Sequence, residues 1–182
     1  MKAIVSDTSV LIDLERGTFL ESMFSLPFEF VVPDLLFDRE LKNHNGCALI
    51  ESGLHIQELD RANLALAMDY YRKYRNSFSI PDVFAYVLAK TNSWILLSGD
   101  GALRKLAAEE NVKCHGVLWL LDQLHLHRII DNDRLYKGLH KTAKHPRCRL
   151  PQIEIQKRLN FCLPLHMTKY CRSAPVLSAT CF

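Results

Sequence analysis

The chain has 182 residues, of which 48% are hydrophobic and 24% charged, a composition typical of a compact globular protein rather than a disordered or fibrous one. No stretch approaches the roughly 18 apolar residues of a membrane helix, and Asp7 interrupts the first apolar run too early for a signal peptide. A cytoplasmic protein is therefore expected, in which the six cysteines, which form no C-x-x-C pair, are most simply reduced thiols.

Charge is unevenly distributed along the chain. Residues 1–110 carry 11 Lys and Arg against 16 Asp and Glu, whereas residues 111–160 carry 10 against 4. An acidic body with a basic flank suits a metal site beside a surface that binds a polyanion. A pair of solvated basic helices would give the same totals.

Strands and helices are predicted to alternate from the first residues onward. Apolar, aromatic or β-branched runs predict strands at residues 3–5, 28–32, 54–59, 94–97 and 112–114. Apolar residues at helical spacing and capping residues predict helices at about 9–14, 18–24, 33–42, 60–75, 79–90, 101–110, 116–126, 131–144 and 152–159, with a turn at 43–46. This alternation implies a parallel sheet covered by helices on both faces.

Two acids follow apolar strands. Asp7 comes after the strand at 3–5, and Asp100 comes after the strand at 94–97. Ligands of open parallel sheets bind beyond the carboxyl ends of the strands, where these two side chains would meet. Two carboxylates at one sheet edge repel each other, and a cation would relieve that repulsion.

Two further acids lie on predicted helices that could reach the same edge. Glu40 has apolar neighbours within the helix at 33–42, and Asp82 follows Pro81 in the first turn of the helix at 79–90. The alternative is structural, because Asp is favoured at helix starts for capping alone and a single Glu is most often a surface residue. The joint arrangement of four acids favours a functional cluster.

Four short motifs in order resemble those of PIN domains. The first is Ile4-Val5-Ser6-Asp7-Thr8-Ser9, and the second is Val32-Pro33 followed by Glu40-Leu41. The third is Pro81-Asp82 at the start of an apolar helix, and the fourth is Leu96-Leu97-Ser98-Gly99-Asp100. Together these motifs cover about residues 2–126, and four in order are specific to the superfamily but not to one substrate.

The resemblance implies a three-layer α/β/α sandwich with a central parallel sheet of four or five strands. Residues 1–126 would form the nuclease domain, residues 127–160 its C-terminal helical extension, and residues 161–182 a loosely ordered tail. The implied activity is that of a Mg²⁺- or Mn²⁺-dependent endoribonuclease, as in the toxin-type (VapC-like) members. An antitoxin protein and a second copy of the chain are then possible partners.

The resemblance also assigns roles to residues. The catalytic and metal-binding acids would be Asp7, Glu40, Asp82 and Asp100. Ser98 would support the cluster, with Thr8 or Ser9 acting in the same way. RNA would be the substrate. From their positions just before Asp82 and just after Asp100, basic residues are predicted to contact its phosphates, namely Arg72, Lys73, Arg75, Arg104 and Lys105. For the first three, a solvated helix end is the alternative.

Other functions are compatible with parts of the pattern. A PIN fold without nuclease activity, acting through a protein or RNA partner, is the main alternative, although acids at all four positions argue against it. A phosphoacceptor domain also uses an Asp at a strand end, but Asp7-Thr8-Ser9 lacks the second acid of an Asp-x-Asp motif. A dinucleotide-binding domain is disfavoured because no G-x-G-x-x-G follows the first strand.

Overall fold

The computed structural model describes residues 2–43 and 45–162. Its strands are β1 (Lys2–Ser6), β2 (Phe28–Pro33), β3 (Leu54–Gln57), β4 (Ile95–Leu97) and β5 (Cys114–His115). Its α-helices are α1 (Thr8–Arg16), α2 (Leu20–Met23), α3 (Asp34–Leu36), α4 (Gly46–Glu51), α5 (Arg61–Tyr74), α6 (Ile80–Thr91), α7 (Gly101–Glu109), α8 (Val117–Leu126), α9 (Asn132–Ala143) and α10 (Gln152–Cys162). A π-helical turn, Phe37–Leu41, continues directly from α3.

The five strands form one sheet in the order β3-β2-β1-β4-β5, and every neighbouring pair is parallel. The chain runs outward from β1 to β2 and β3, and then crosses to the other side of β1 for β4 and β5. The strand order therefore reverses between β1 and β4, which is where open α/β sheets bind their ligands.

Side chains of β1 alternate between two hydrophobic clusters, one on each face of the sheet. Ile4 packs with residues of α1, α2, α8, α9 and α10, whereas Ala3 and Val5 pack with residues of α5, α6 and α7. Successive residues of a strand point to opposite faces, so an unbroken apolar run indicates a strand covered on both sides. The expected three-layer α/β/α sandwich is confirmed, with five strands in its sheet.

Several predicted element boundaries were wrong. β3 ends at Gln57 rather than at Leu59, because its one partner strand, β2, ends at Pro33, which pairs with Gln57. β5 begins at Cys114 rather than at Val112, whose N–H donates to the Ala107 carbonyl at 2.8 Å and closes the end of α7.

The region around residues 33–51 also differs from the prediction. The single helix expected at 33–42 is the short α3 followed by the π-turn, in which the Lys42 N–H donates to the Phe37 carbonyl at 2.8 Å. Where the sequence predicted only a turn at 43–46, α4 begins at Gly46, and its Leu49 is buried.

α9 docks closely against the loop that follows α1. A Cβ at Gly138 would lie 2.0 Å from the Phe19 ring and 2.6 Å from the Gly17 carbonyl oxygen. Both distances are far below van der Waals contact, so only glycine fits at this position of α9. The contact joins the C-terminal helices to the face of the sheet that α1 covers.

A polar cluster joins the helices on the opposite face. Glu110, at the end of α7, accepts hydrogen bonds from Tyr70 of α5 and from Tyr86 and Lys90 of α6, with 2.7 Å between the Tyr86 hydroxyl and Glu110 Oε2. Burial opposes ionisation of Glu110, but the hydrogen bonds from Lys90, Tyr70 and Tyr86 outweigh it and lower its pKa to about 2.

The C-terminal helices complete the described chain. Phe161 and Cys162 are the last residues of α10, and Cys162 is buried. The rest of the segment 161–182, which was expected to be loosely ordered, lies outside the described residues. No helix between residues 2 and 162, leaving out residue 44, is long and apolar enough to span a membrane.

Candidate active site

A cleft of about 920 Å³ opens at the carboxyl edge of the sheet, beside the ends of β1, β4 and β5. All four predicted acids line it, namely Asp7, Glu40, Asp82 and Asp100. The structure therefore brings together residues that lie as far apart in the sequence as 7 and 100. The crossover between β1 and β4 creates this meeting point, because the two strands lie side by side and end at the same edge.

Asp7 is the most deeply placed of the four acids, with 3% of its surface exposed. Its backbone N–H donates to the Leu97 carbonyl at 3.0 Å, which ties the end of β1 to β4. Its Oδ1 accepts hydrogen bonds from Ser9 Oγ at 2.7 Å and from the Val10 N–H at 3.0 Å, so it also caps α1. One carboxylate oxygen thus orients the side chain, and the other is not used by the cap.

Burial raises the pKa of the Asp7 carboxyl group. Hydrogen bonds from Ser98, Ser9 and Val10 oppose this rise, whereas the negative charge of Asp82 adds to it. A buried carboxylate beside another acid is costly unless a positive charge compensates for it.

Asp82 and Asp100 stand at the starts of α6 and α7. Asp82 forms a reciprocal capping box with Ser79, in which its Oδ2 accepts from the Ser79 N–H at 2.9 Å and from Ser79 Oγ at 2.6 Å. Asp100 caps α7 by accepting from the Leu103 N–H at 2.8 Å. In both residues one oxygen is engaged by the helix, and the other accepts no hydrogen bond from the described residues, so capping and ligand binding are compatible roles.

Glu40 reaches the cleft from the π-turn and is partly exposed. The neighbouring Phe37 and Leu41 are buried in the core cluster beneath the turn. These two apolar anchors fix the direction of the turn. The turn therefore carries Glu40 to the cleft on a buried apolar base.

The predicted supporting hydroxyls lie between the acids. Ser98 is fully buried, and its Oγ accepts from the Asp100 N–H at 3.1 Å. Ser9 Oγ, besides donating to Asp7, accepts from the Gly99 N–H at 3.3 Å. Thr8 Oγ1 lies at the cleft, and it is buried without a hydrogen-bond partner among the described residues. Ser9 and Ser98 therefore connect Asp7 to the loop that carries Asp100.

The predicted RNA-binding residues divide into two groups. Arg104 lines the cleft, and Lys105 lies next to it on an adjoining groove of α7. Arg72, Lys73 and Arg75, at the end of α5, are not among the residues that line the cleft. Arg72 instead pairs with Asp69 at 2.9 Å.

Sequence reasoning missed the wall that the C-terminal half contributes. His115, Trp119, Arg149 and Arg158 all line the cleft. Arg158 is held by Asp122, with 2.8 Å from its Nε to Asp122 Oδ1 and 2.5 Å from its Nη2 to Oδ2. The excess of basic residues in 111–160 was the signal, but it could not show which of them face the acids.

The donor set fits a hard divalent cation in its chemistry. Carboxylate oxygens are the ligands that Mg²⁺ and Mn²⁺ prefer, and Asp7, Asp82 and Asp100 each keep one oxygen outside their helix caps. Among residues 2–43 and 45–162, however, no group of three or more His, Cys, Asp or Glu side chains is arranged around a metal position. This arrangement suits an ion that is bound by one or two carboxylates and completed by water and substrate phosphate, as is common for Mg²⁺.

Comparison with known proteins agrees with the fold. The sequence profile of a family described as a PIN domain matches residues 3–161, which include nearly all of β1, the other four strands and nearly all of α10. A search of functionally curated proteins finds no significant match.

Proposed function

The chain belongs to the PIN-domain family, which is associated with nucleases, and from this premise we propose that it is a metal-dependent endoribonuclease that hydrolyses RNA in the cleft lined by Asp7, Asp82, Asp100 and Glu40. One observation carries the proposal. Asp7 is buried beside a second acid in an open cleft, an arrangement that costs folding free energy unless a cation binds there.

The four acids would have different roles according to their positions in the cleft. Asp7 and Asp100, which follow adjacent strands, would be the direct ligands of Mg²⁺ or Mn²⁺, and Asp82 would hold the ion through a coordinated water. Such an ion, when bound, neutralises phosphate charge and lowers the pKa of a coordinated water. Glu40, which lines the same cleft, would accept the proton of the attacking water.

Other side chains of the cleft position the reactants. Ser9 and Val10 fix the orientation of Asp7, and Ser98 fixes the loop before Asp100. Arg104 and Arg149 supply positive charge along the cleft for the phosphates on either side of the bond that is cut. The RNA contacts predicted for Arg72, Lys73, Arg75 and Lys105 would then lie outside the cleft, on a longer path of the strand.

A finer assignment follows from the resemblance to toxin-type members alone. We propose that the chain acts as the toxin of a toxin–antitoxin pair, with an antitoxin protein as partner and a homodimer as its working form. Induced expression should then arrest growth, and Asp7→Asn should relieve the arrest at equal protein level. Growth arrest by the Asp7→Asn protein would contradict the assignment.

The second candidate is a PIN fold that binds a protein or RNA partner without cutting. The absence of a three-carboxylate cluster within the described residues is the observation in its favour. The two candidates differ in their need for a metal ion.

Titration calorimetry with Mn²⁺, together with cleavage of end-labelled RNA with and without EDTA, separates the candidates. The nuclease should bind Mn²⁺ and should cut RNA only when metal is present. Asp131→Asn provides a matched control, because Asp131 caps α9 through the Arg134 N–H at 2.8 Å just as Asp7 caps α1, but lies outside the cleft. Loss of metal binding and cleavage in Asp7→Asn but not in Asp131→Asn would support the nuclease, whereas RNA binding without cleavage at any metal concentration would support the binding module.

A further inference from the structure

His115 and Trp119 form an aromatic stack on the wall of the cleft. Their ring centroids are 4.3 Å apart and their planes differ by 10°. Both residues are only partly buried, and both line the cleft that holds the four acids. A flat aromatic surface in a cleft for a polyanion is a feature that metal binding and phosphate neutralisation do not require.

The stack is fixed close to the acids by the sheet itself. His115 ends β5, and its carbonyl accepts a hydrogen bond from the Ser98 N–H at 2.9 Å. Ser98 in turn accepts from the Asp100 N–H at 3.1 Å. Two hydrogen bonds through Ser98 therefore link the backbone of His115 to the backbone of Asp100, one of the proposed metal ligands.

The rest of the fold holds the stack rigidly. Trp119 lies in the first turn of α8, whose next residue, Leu120, is fully buried. On the core side Trp119 contacts Phe28 of β2, with 6.0 Å between ring centroids. A preformed surface of this kind loses little conformational entropy when a ligand binds.

The charge around the stack suits a nucleotide. Arg104 lies close to Gly116, which falls between His115 and Trp119 in the sequence. A Cβ at Gly116 would lie 3.6 Å from Arg104 Nη1. Burial lowers the pKa of His115, and the charges of Arg104 and Lys113 lower it further. The lowered pKa favours the neutral imidazole, which can stack on a base. The adjacent Arg104 guanidinium, which forms no ion pair with the described residues, can meet a phosphate.

We propose that the His115–Trp119 stack is a binding site for an unpaired nucleobase of the RNA, with Arg104 contacting the phosphate beside that base. This inference rests on the proposed function, because it names the part of the RNA that the same cleft holds. The base must be unpaired and unstacked from its neighbours, since bases in a duplex have both faces covered. The chain would therefore select single-stranded or looped RNA at this position.

The test measures binding in EDTA, so that no RNA is cut. Short single-stranded RNA oligonucleotides, in which each base in turn is replaced by an abasic site, are titrated against wild type, Trp119→Ala and Trp119→Phe. Trp119→Ala should weaken binding of the intact strand about 5- to 100-fold, the contribution expected of one stacked base. Trp119→Phe should retain most of the affinity. The strand in which the abasic site replaces the stacked base should bind wild type and Trp119→Ala with equal affinity. The salt dependence of binding should be the same in wild type and Trp119→Ala, because stacking releases no counterions.

A merely structural role for Trp119 gives different results. An equal loss for intact and abasic strands, or no loss at all, would overturn the inference, as would failure of wild type to bind any of the strands. If Trp119→Ala does not fold, His115→Leu, which removes the partner ring at similar volume, replaces it with the same expected abasic dependence. Fluorescence of Trp119 in a Trp94→Phe background should be quenched by the intact strand and not by the critical abasic one.

The outcomes also separate this inference from the nuclease proposal. RNA cleavage that does not depend on Trp119 or His115 would leave the nuclease standing and remove the base site. Base-dependent binding through Trp119 in a protein that never cuts RNA would leave the base site standing and remove the nuclease.

Discussion

The Asp7 side chain meets two opposing requirements. As the N-cap of α1 it stabilises the fold, whereas as a carboxylate that is 3% exposed and repelled by Asp82 it destabilises the fold when no cation is bound. Asn can accept the same hydrogen bonds from Ser9 and Val10 but carries no charge.

Asp7→Asn should therefore lower cleavage about 100-fold or more while leaving the metal-free protein as stable as wild type or more so. The physical reason is that the substitution keeps the cap and removes the buried charge. Thermal melting in EDTA and single-turnover cleavage in Mn²⁺ are the measurements. Asp131→Asn should change neither quantity appreciably, and a clear loss of stability in Asp7→Asn would show that the charge of Asp7 serves the fold.

The sequence predicted that the four acids meet, and they line one cleft, but it did not predict the groups that surround them. Asp7 and Asp100 follow apolar strands, and parallel strands end at one edge, so their meeting could be predicted. Trp119 and Arg149 reach the same cleft only through the packing of α8 and α10 against the sheet. No periodicity or spacing encodes that packing, and their place in the cleft could not be predicted.

Gly138 shows how one residue sets the position of a whole element. Alanine is the better helix former by about 1 kcal/mol, so Gly138→Ala would stabilise α9 if the helix stood alone. In the fold its methyl group would collide with the Phe19 ring and the Gly17 carbonyl. We therefore expect a net loss of about 1–3 kcal/mol, measured by urea unfolding.

Lys141→Ala is the control for this prediction, because Lys141 is exposed on the same helix. It should change the free energy of unfolding by less than about 0.5 kcal/mol. A stabilised Gly138→Ala protein would mean that α9 can move away from the loop after α1 at little cost.

The cluster around Glu110 links the stability of α5, α6 and α7 to pH. The folded pKa of Glu110, about 2, lies below its ordinary value of 4.5, so its contribution is fully present above pH 4.5 and is lost as the pH falls toward 2. Glu110→Gln should lower the free energy of unfolding by about 1–2 kcal/mol at neutral pH, and the difference from wild type should shrink in acid. Urea unfolding at several pH values tests this, with Glu109→Gln, an exposed neighbour, as control. A difference that stays constant with pH would exclude a role for the Glu110 charge.

Element types were easier to predict than element ends. The buried α6 and the apolar β1 are long or strongly patterned, and both were predicted close to their observed bounds. The end of β3 is set by its partner strand, and the start of β5 is set by the turn that closes α7. Both boundaries depend on tertiary contacts. The spacing of apolar residues in the π-turn differs from that of an α-helix by only one residue, so hydrophobic periodicity could not distinguish the two.

Across the whole molecule, the uneven distribution of charge along the sequence brings basic residues of the C-terminal half to the cleft. Arg149 and Arg158, both from the basic part of the sequence, line the cleft that also holds the four acids, and Arg158 is paired there with Asp122. The basic flank could be predicted from the sequence, whereas its place in the same cleft could not. The cleft therefore offers RNA both basic side chains and the proposed metal site.

This arrangement predicts which basic residues dominate RNA binding. Arg104→Ala combined with Arg149→Ala should weaken binding and reduce the slope of log affinity against log salt by about 2, because two phosphate contacts are lost. Arg72→Ala combined with Lys73→Ala, at the end of α5 and outside the cleft, should have a smaller effect on both quantities. Equal effects of the two double variants, measured by RNA titration at several salt concentrations, would place the main RNA path along α5 instead.

The π-turn makes the place of Glu40 depend on chain register. A π-turn contains one residue more than the α-helical turn it replaces, and each residue of a helix advances the chain by about 100° around the axis. We expect that deletion of Asp38 alone would remove the extra residue of the wide turn and change the direction of Glu40 relative to the anchored α3. The acid would still be present in the sequence, and its separation from the end of α3 would change only from four residues to three. A motif search would not detect this change. A homologous chain that lacks this extra residue would then carry the same Glu away from the cleft, so alignment of the acid alone is not enough to infer an intact site.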